Sequence, residues 1–498
     1  MNLGDSIRHG TKWLFTGSLS GQALQFGFGI ILARLLTPAD FGLVVTVQIF
    51  TGFVGMLASG GMGEALIQAK EVREEDFQTV FTFQLATGVL IYAGFYFVAP
   101  WFALWFKQPI YESLLRISAL TFLLRPFSNN PGIRLRREMR FKETALITFV
   151  NFTISGFVSI AMAATGFGVW SLVLSGLVGI PINIALLSWR APWSPNLKYN
   201  HASARKFASF GFKDIAIDLV IYFRKQTSNL IIAKLMGPVE VGLFNKGSSL
   251  ANTPTALLSG SAYQAVFRGL SKVQDNLDQS RYIYFRTIAL VSLYTFPVYI
   301  ALAWVTEPFV VGVYGSRWVK VVSPLRILCL AAPAFLLQYI SGALVAARNR
   351  LGEEVKLQLQ SWVLLIVFGL IGVRFGVVGV AWAVVLSAYY IAIRLTLLAL
   401  DSINSRPREL LRALAPTLRP CGVQVIALLI LDLLLSSMSV HLPLLLHCAV
   451  FSFLGFAAYA AMFLYYPNWQ LVGEANRWRG KIGLKPLSAS PPTDRQSK

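Results

Sequence analysis

Long apolar runs, separated by short charged or Pro/Gly-rich breaks, follow one another from residue 13 to residue 466. A bilayer core of about 30 Å is crossed by roughly 20 mainly apolar residues in a helix, so each run is long enough to span a membrane. The pattern predicts fourteen spans, at 13–36, 41–67, 78–106, 111–130, 144–165, 168–189, 207–236, 239–267, 283–312, 323–346, 356–374, 377–400, 415–437 and 442–466. The chain is therefore predicted to be an all-α polytopic membrane protein.

The composition supports this class and excludes others. The chain of 498 residues is 55% hydrophobic and 13% charged, whereas soluble globular chains average about 45–50% apolar and about 25% charged residues. A disordered chain, a disulfide scaffold and an ordinary cytosolic enzyme are all excluded on this ground. The three cysteines fall in apolar spans without metal-ligand spacing and are interpreted as small core residues.

The net charge of +21 predicts the orientation. With the N-terminus inside, 30 of the 44 Lys and Arg residues fall in predicted cytoplasmic loops and tails or in the first few residues of the adjoining spans, and three fall in outer loops. Because cytoplasmic loops carry the excess of Lys and Arg, both termini are predicted to be cytoplasmic. The polar segment 471–498 is predicted to be a disordered cytoplasmic tail.

The chain contains an internal repeat. Segment 31–43 (ILARLLTPADFGL) aligns without a gap with segment 231–243 (IIAKLMGPVEVGL), 200 residues later. Further matches predict an N-terminal lobe at 1–200 (helices 1–6), a C-terminal lobe at 201–402 (helices 7–12) and two added helices at 403–470. Six spans per repeat make the repeats parallel, and transporters of this kind bind substrate between their halves. A shared ancestral fold without transport is the alternative.

The repeated P-x-[DE]-x-G-L motif, the basic loop Arg134–Phe141 and the fourteen-span layout carry a resemblance. Over about residues 1–465 the chain resembles bacterial polysaccharide flippases of the O-antigen or colanic-acid exporter type. These belong to the multidrug/oligosaccharidyl-lipid/polysaccharide exporter superfamily. The resemblance implies two six-helix lobes around a central cavity, in the bacterial cytoplasmic (inner) membrane.

The same resemblance implies a function. It is the translocation of undecaprenyl-pyrophosphate-linked oligosaccharide from the inner to the outer leaflet, by alternating access, for O-antigen or exopolysaccharide biosynthesis. Lipid-linked oligosaccharide, membrane lipids and the polysaccharide polymerase or glycosyltransferase machinery are the partners implied. By analogy with flippases of lipid-linked peptidoglycan precursors, helices 13 and 14 are expected to form a groove for the polyprenyl tail.

A polar stripe runs along the seventh predicted span. It consists of Asp214, Asp218, Tyr222, Lys225 and Asn229. Spacings of 4, 4, 3 and 4 residues place the five on one helical face. The positions 200 residues earlier include Gln22 and Gln25 on the first span. Since a charge at the bilayer centre costs about 2.5–3.5 kcal/mol on insertion scales, such residues indicate function.

Two interpretations of the stripe are open. In one, both helices line a watery cavity that receives sugar hydroxyls and pyrophosphate, for which Lys and Arg are charge-assisted donors. In the other, Asp218 and Lys225 belong to a satisfied interhelical network, with Asp214 near the cytoplasmic edge. Arg224, on a neighbouring face of the same helix, either snorkels or forms an ion pair.

Other charged residues extend the candidate site. Arg125, followed by Pro126 and Pro131, marks an interrupted fourth helix, where it either binds the headgroup or snorkels to the cytoplasmic interface. Glu64 and Asp214 are the candidates for coupling to H⁺ or Na⁺. The basic loop 134–142 either sets the topology or recruits the diphosphate headgroup at the inner leaflet.

The sequence disfavours an enzyme. There is no G-x-x-x-x-G-K phosphate-binding loop, and the four histidines are scattered without a metal or triad pattern. No cofactor, metal or nucleic-acid partner is therefore expected. The alternatives are a cation-coupled multidrug or toxin exporter of the same superfamily, and a non-transporting scaffold or scramblase in a polysaccharide synthesis complex. A positively charged cavity would favour the lipid diphosphate over a cationic drug.

Overall fold

The computed structural model describes residues 20–59, 61–273, 276–438 and 442–487; within helices, the side chains of 59, 208–218, 220, 256–266, 271 and 272 are left out of the description. The described residues contain helices and no strand. The helices are α1 (20–35), α2 (Pro38–Ser59), α3 (Met62–Gln68), α4 (Glu74–Phe106), α5 (Ile110–Ala119), α6 (Thr121–Arg137), α7 (Phe141–Ala164), α8 (Trp170–Arg190), α9 (His201–Leu235), α10 (Pro238–Lys272), α11 (Leu277–Trp304), α12 (Thr306–Phe309), α13 (Val322–Cys329), α14 (Ala332–Ala347), α15 (Leu351–Gly372), α16 (Gly376–Ser402), α17 (Pro407–Ser437), α18 (Leu444–Tyr465) and α19 (Val472–Lys481).

Several of these helices are long and apolar enough to cross a bilayer. In the described ranges, eight helical segments meet that requirement, and a ninth does so if Ser316–Cys329 and Ala332–Ala347, inclined by 45°, form one broken span. The prediction of an all-α polytopic membrane protein is confirmed. The count of fourteen spans stays a prediction.

The chain divides into two compact units, Met1–Asn245 and Lys246–Lys498. In the first unit, α9 packs against α2, α3 and α4. One cluster there joins four helices through the buried side chains of Leu66, Phe77, Ile133 and Phe207. The predicted lobe limits at residues 200 and 402 stay predictions.

In the second unit, α11, α14 and α16 form the largest core. Tyr284, Ile340 and Leu395 are buried within it, and the Tyr284 hydroxyl lies 2.8 Å from the Ser341 hydroxyl. The helices α17 and α18 pack on α11, where Gln424 donates to the Pro297 carbonyl at 3.0 Å. The two C-terminal spans are thus bound to this unit by both apolar and polar contacts.

The interruption of the fourth predicted span is real, but the prediction of its position is wrong. The break falls at Leu120, between α5 and α6, and α6 continues through Pro126 and Pro131. Proline removes the hydrogen bond to the carbonyl four residues earlier, which for Pro126 is that of Phe122. A Cβ at Gly88 would lie 2.4 Å from this oxygen. Because Gly88 has no side chain, the α4 backbone packs directly over the Phe122 carbonyl, and α6 continues through Pro126.

The prediction of disorder from residue 471 onward is wrong up to residue 487. A short 3₁₀ turn and α19 follow α18, and Leu471 and Ala475 are fully buried. The Arg479 side chain donates to the carbonyls of Leu464 (2.8 Å) and Lys485 (2.7 Å). Apolar residues at helical spacing and one buried arginine therefore order a segment whose composition is polar. Residues 488–498 lie outside the described residues.

Candidate functional site

The repeated motif builds two matching helix starts. Thr37 precedes α2, and its hydroxyl and backbone N–H donate to the Asp40 carboxylate at 2.7 and 2.9 Å. This is a capping-box arrangement, and Pro38 occupies the first helical position, where a missing N–H costs nothing. Pro238 begins α10 with Glu240 in its first turn. The conserved charge in each copy therefore belongs to the start of a helix.

The glycine of each copy lets the two starts touch. A Cβ on Gly42 would lie 1.7 Å from the Pro238 carbonyl oxygen, and a Cβ on Gly242 would lie 1.9 Å from that of Pro38. Any side chain at either position collides with backbone. The two copies of the motif thus form a reciprocal contact in which each glycine faces the other copy's proline.

The first helix of the second repeat, α9, docks on α2 through Tyr222. Its hydroxyl donates to the carbonyls of Gln48 and Ile49, at 3.0 and 2.8 Å. The phenol covers Gly52, where a Cβ would lie 2.3 Å from the hydroxyl oxygen. The predicted stripe residue Tyr222 therefore holds two helices together.

The other members of the stripe differ in environment. Lys225 is exposed, and among the described side chains its ammonium has no hydrogen bond or ion pair. Asn229 is buried, and its amide donates to Gln226 at 3.0 Å, while its carbonyl oxygen has no partner within the described part of the chain. The side chains of Asp214 and Asp218 lie outside the described residues.

A small recess of about 20 Å³, enough for roughly one water molecule, lies between α2, α4 and α6. Its lining includes Gly55, Gln84, Phe122, Arg125 and Asn129. The Asn129 amide donates to the buried Gln84 side chain at 3.0 Å. The exposed Arg125 guanidinium would be 3.4 Å from a Cβ at Gly55, and it makes no ion pair with any described residue. The recess therefore presents one unneutralised cation and two amides.

The structure brings Arg125 and the α9 stripe to the same stretch of α2. Tyr222 contacts Gly52 and Arg125 contacts Gly55, which is one helical turn further. Lys225 follows Tyr222 by about one turn of α9. Arg125 of α6 and Tyr222 of α9 thus contact neighbouring turns of α2.

The remaining predicted residues lie elsewhere. Gln22 and Gln25 are exposed on α1, and Arg224 is half-buried on α9. Glu64, on α3, is exposed and forms an ion pair of 3.4 Å with Arg136. Its carboxylate is thus engaged with the basic loop.

The arginines of the basic loop 134–142 are held by the protein. They pair as Arg134 with Glu74, Arg136 with Glu64, and Arg140 with both Glu138 and Glu143. Arg137 donates to the carbonyls of Leu66, Ile67 and Ala69, which end α3. Hydrogen bonds from Arg140 to Glu143 and Glu138 raise the pKa of that guanidinium. The arginines of this segment therefore bind residues of α3, α4 and α7 and hold these helices together.

Comparison with known proteins identifies the group to which this fold belongs. The family described as "Polysaccharide biosynthesis protein" matches residues 31–323, more than half of the chain. The chain belongs to this family. The match begins at the first copy of the repeated motif and includes the second copy, the recess and Lys225, whereas Gln22 and Gln25 precede it.

Curated relatives of the chain are bacterial proteins of polysaccharide synthesis. The chain is 22% identical over 412 residues to the lipopolysaccharide biosynthesis protein WzxC of Escherichia coli (strain K12), which covers 79% of this chain and 82% of WzxC. It is 24% identical over 349 residues to the teichuronic acid biosynthesis protein TuaB of Bacillus subtilis (strain 168), covering 69% and 72% of the two chains.

Solved structures share the fold. The lipid II flippase MurJ, in an inward closed conformation, superimposes with a TM-score of 0.71 at 15% identity, over 91% of this chain and 98% of MurJ. A multidrug resistance MATE transporter of the MOP superfamily gives 0.59 at 15% identity, over 76% and 94%. The predicted resemblance to polysaccharide flippases of this superfamily is confirmed, and the protein is a multi-pass protein of the bacterial inner membrane.

Sequence reasoning missed one half-buried lysine that contacts two aromatic rings. Lys246 lies on α10, with its ammonium 4.1 Å from the ring centroid of Tyr314 and 5.6 Å from that of Trp318. Cation–π contacts of this kind stabilise a desolvated ammonium. A single lysine inside the predicted span 239–267 was the available signal. The position 200 residues earlier is Thr46, which hydrogen-bonds to Tyr111.

Proposed function

We propose that this protein translocates an oligosaccharide linked to undecaprenyl pyrophosphate from the inner to the outer leaflet of the bacterial cytoplasmic membrane. The observation that carries the proposal is the pair of exposed cations, Arg125 and Lys225, on two helices, α6 and α9, that both contact α2. Neither is neutralised by a described side chain. The family membership and the printed names of relatives such as WzxC support the same class of substrate.

In this proposal, the two cations bind the diphosphate. Charge-assisted hydrogen bonds to phosphate oxygens are about twice as strong as neutral ones and suit a guanidinium and an ammonium. Gln84 and Asn129, already joined side by side, and Gln22 and Gln25 supply amides for sugar hydroxyls. Asn229, Asp218 and Arg224 complete the polar surface.

Tyr222 is assigned a positioning role. Its hydroxyl is already committed to two carbonyls of α2, so its donor does not serve a sugar. The phenol instead sets the spacing between α2 and α9. A substitution of Tyr222 is therefore expected to impair substrate binding indirectly, by shifting α9 and with it Lys225, which follows one turn later.

In this proposal, the contact between the two copies of the motif forms and breaks during the alternating-access cycle. With both termini cytoplasmic, the two copies of the motif lie at the outer ends of α2 and α10. Contact between them closes that side, and their separation opens it. Glu64 and Asp214 are the proposed sites of H⁺ or Na⁺ coupling. For Glu64, proton or ion binding would release Arg136 from its ion pair.

The cationic recess disfavours the drug-exporter alternative. A carboxylate is the side chain that would neutralise a cationic drug, and the ionised side chain that lines the described recess is Arg125. The polymerase or glycosyltransferase machinery is proposed as the source and the destination of the glycan.

Deletion of the gene that encodes this protein tests the function in cells. Without it, carrier-linked repeat units are expected to accumulate on the inner face, and surface polysaccharide is expected to fall at least tenfold, with recovery on complementation. The measurement is protection of the lipid-linked glycan from a membrane-impermeant glycosidase added to spheroplasts. Unchanged access of that enzyme in the deletion strain would contradict the proposal.

A further inference from the structure

A second cavity, outside the candidate site, lies within the unit that begins at Lys246. Its volume is about 490 Å³, within the usual range of ligand pockets. The ends of α11, α12 and α13 and the facing parts of α17 and α18 contribute its walls. The side chains that matter are Trp304, Glu307, Arg326, Asp432, Leu444 and His447.

The floor of this cavity is apolar and well packed. Val305, Leu428 and Phe451 are buried together beneath it, and Trp304 packs on the same cluster. The His447 ring stacks on Phe451, with centroids 4.0 Å apart and planes inclined by 5°. The cluster joins α11 to α17 and α18, so the cavity lies over the junction between the second repeat and the two added helices.

The polar groups of the cavity are only weakly engaged with one another. Arg326 and Glu307 are 3.7 Å apart, with side chains 48% and 58% exposed. In the parts of the chain that the structure describes, the Asp432 carboxylate and the His447 ring nitrogens have no hydrogen-bond or ion-pair partner. The cavity thus offers two carboxylates, one guanidinium and one imidazole to a ligand.

Asp432 is the unusual residue of this group. It interrupts the apolar run 426–435, and a carboxylate within such a run is costly unless it has a function. It lies five residues before Ser437, the last residue of α17, which is about 7–8 Å along the helix. This depth corresponds to the headgroup layer rather than to the hydrocarbon centre. Leu433 and Leu434 beside it are 69% and 54% exposed, as lipid-facing side chains are.

We propose that this cavity binds the headgroup of phosphatidylethanolamine. The primary ammonium lies between Glu307 and Asp432, the phosphate accepts from Arg326, and the acyl chains follow the exposed leucines of α17. Carboxylates outnumber the guanidinium, so a purely anionic headgroup is repelled. A trimethylammonium has no N–H to donate to the carboxylates. The inference does not depend on the proposed function; the predicted topology assigns the site to the outer leaflet.

The bound lipid would add a headgroup-mediated connection between α11 and the helices α17 and α18 to their direct protein contacts. Phosphatidylethanolamine is therefore expected to stabilise the full-length protein more than lipids that differ only in the headgroup. A polyprenyl phosphate in the same place is the competing occupant and is distinguished by its charge.

The test is lipid binding to the purified full-length protein after delipidation in detergent, followed by native mass spectrometry. The probes are dioleoyl phosphatidylethanolamine, phosphatidylcholine and phosphatidylglycerol, together with undecaprenyl phosphate. We expect at least tenfold tighter binding of phosphatidylethanolamine than of phosphatidylcholine or phosphatidylglycerol. Glu307→Gln combined with Asp432→Asn is expected to abolish the preference, and Arg326→Ala is expected to weaken phosphatidylethanolamine binding.

Glu112→Gln is the matched control, because Glu112 is a partly exposed glutamate, paired with Arg116, in the other unit. It should leave the lipid preference unchanged. Equal binding of the three phospholipids to the wild-type protein would overturn the inference, and this comparison needs no variant to fold. Preferential binding of undecaprenyl phosphate, or an unchanged preference in the Glu307/Asp432 double variant, would overturn it as well.

Discussion

Replacing Arg125 and Lys225 together by glutamine is expected to lower export of surface polysaccharide by at least a hundredfold while the protein stays in the membrane. Each residue would donate a charge-assisted hydrogen bond to the diphosphate, and hydrogen bonds to charged groups contribute about 1.5–3 kcal/mol each. That range corresponds to roughly tenfold to a hundredfold in affinity per residue. The measurement is surface glycan per cell, normalised to the amount of membrane-inserted protein.

Each single variant should export about tenfold less surface polysaccharide than the wild type, because the remaining cation still binds part of the diphosphate. Arg394→Gln is the matched control, since Arg394 is an exposed arginine within an apolar helix, α16, in the other unit. It should export normally. Normal surface glycan in the Arg125/Lys225 double variant, at normal protein levels, would exclude the assigned diphosphate site.

Gly42→Ala and Gly242→Ala are expected to be the most damaging single-methyl changes in the chain. The added Cβ would lie 1.7 or 1.9 Å from a carbonyl oxygen, so the starts of α2 and α10 must separate. Overpacking of this kind costs about 1–3 kcal/mol, and contact with backbone leaves no rotamer for relief. Both variants should unfold at lower temperature than the wild type and should export poorly, because the proposed outer closure no longer forms.

Gly176→Ala is the control for the Gly42 and Gly242 variants. Gly176 lies within α8, and a Cβ there meets nothing within 4 Å. Alanine is favoured over glycine inside a helix by about 0.5–1 kcal/mol, so this variant should be as stable as the wild type or more so. In detergent, the unfolding temperature is expected to fall for Gly42→Ala and Gly242→Ala and to stay the same or rise for Gly176→Ala. Equal unfolding temperatures for Gly42→Ala and the wild type would refute the reciprocal contact.

The sequence predicted what depends on local pattern. Apolar runs indicated membrane helices, and the 200-residue offset identified Gly42 and Gly242 as equivalents. The contact between those two glycines was not predictable, because a repeat shows which positions correspond and not which positions touch. Tyr222 shows the same limit: its place on a polar stripe was evident, but its hydrogen bonds to α2 come from packing.

Non-local partners account for the errors. Pro126 should end a helix by local rules, but Gly88 of α4 covers the carbonyl that proline leaves without a donor. The arginines of the basic loop looked like free cations, because Glu64 and Glu74 are 60 or more residues away along the chain. In segment 471–487, buried Leu471 and Ala475 outweigh a polar composition. In each case a tertiary contact overrides a local tendency.

The most direct test of the central claim is mass spectrometry of lipids that co-purify with the detergent-solubilised protein. A polyprenyl-diphosphate oligosaccharide should be found with the wild type and reduced at least tenfold with the Arg125/Lys225 double glutamine variant. Recovery of equal amounts from both proteins, or of no polyprenyl-diphosphate glycan from the wild type, would contradict the assignment of this protein as a flippase of lipid-linked oligosaccharides.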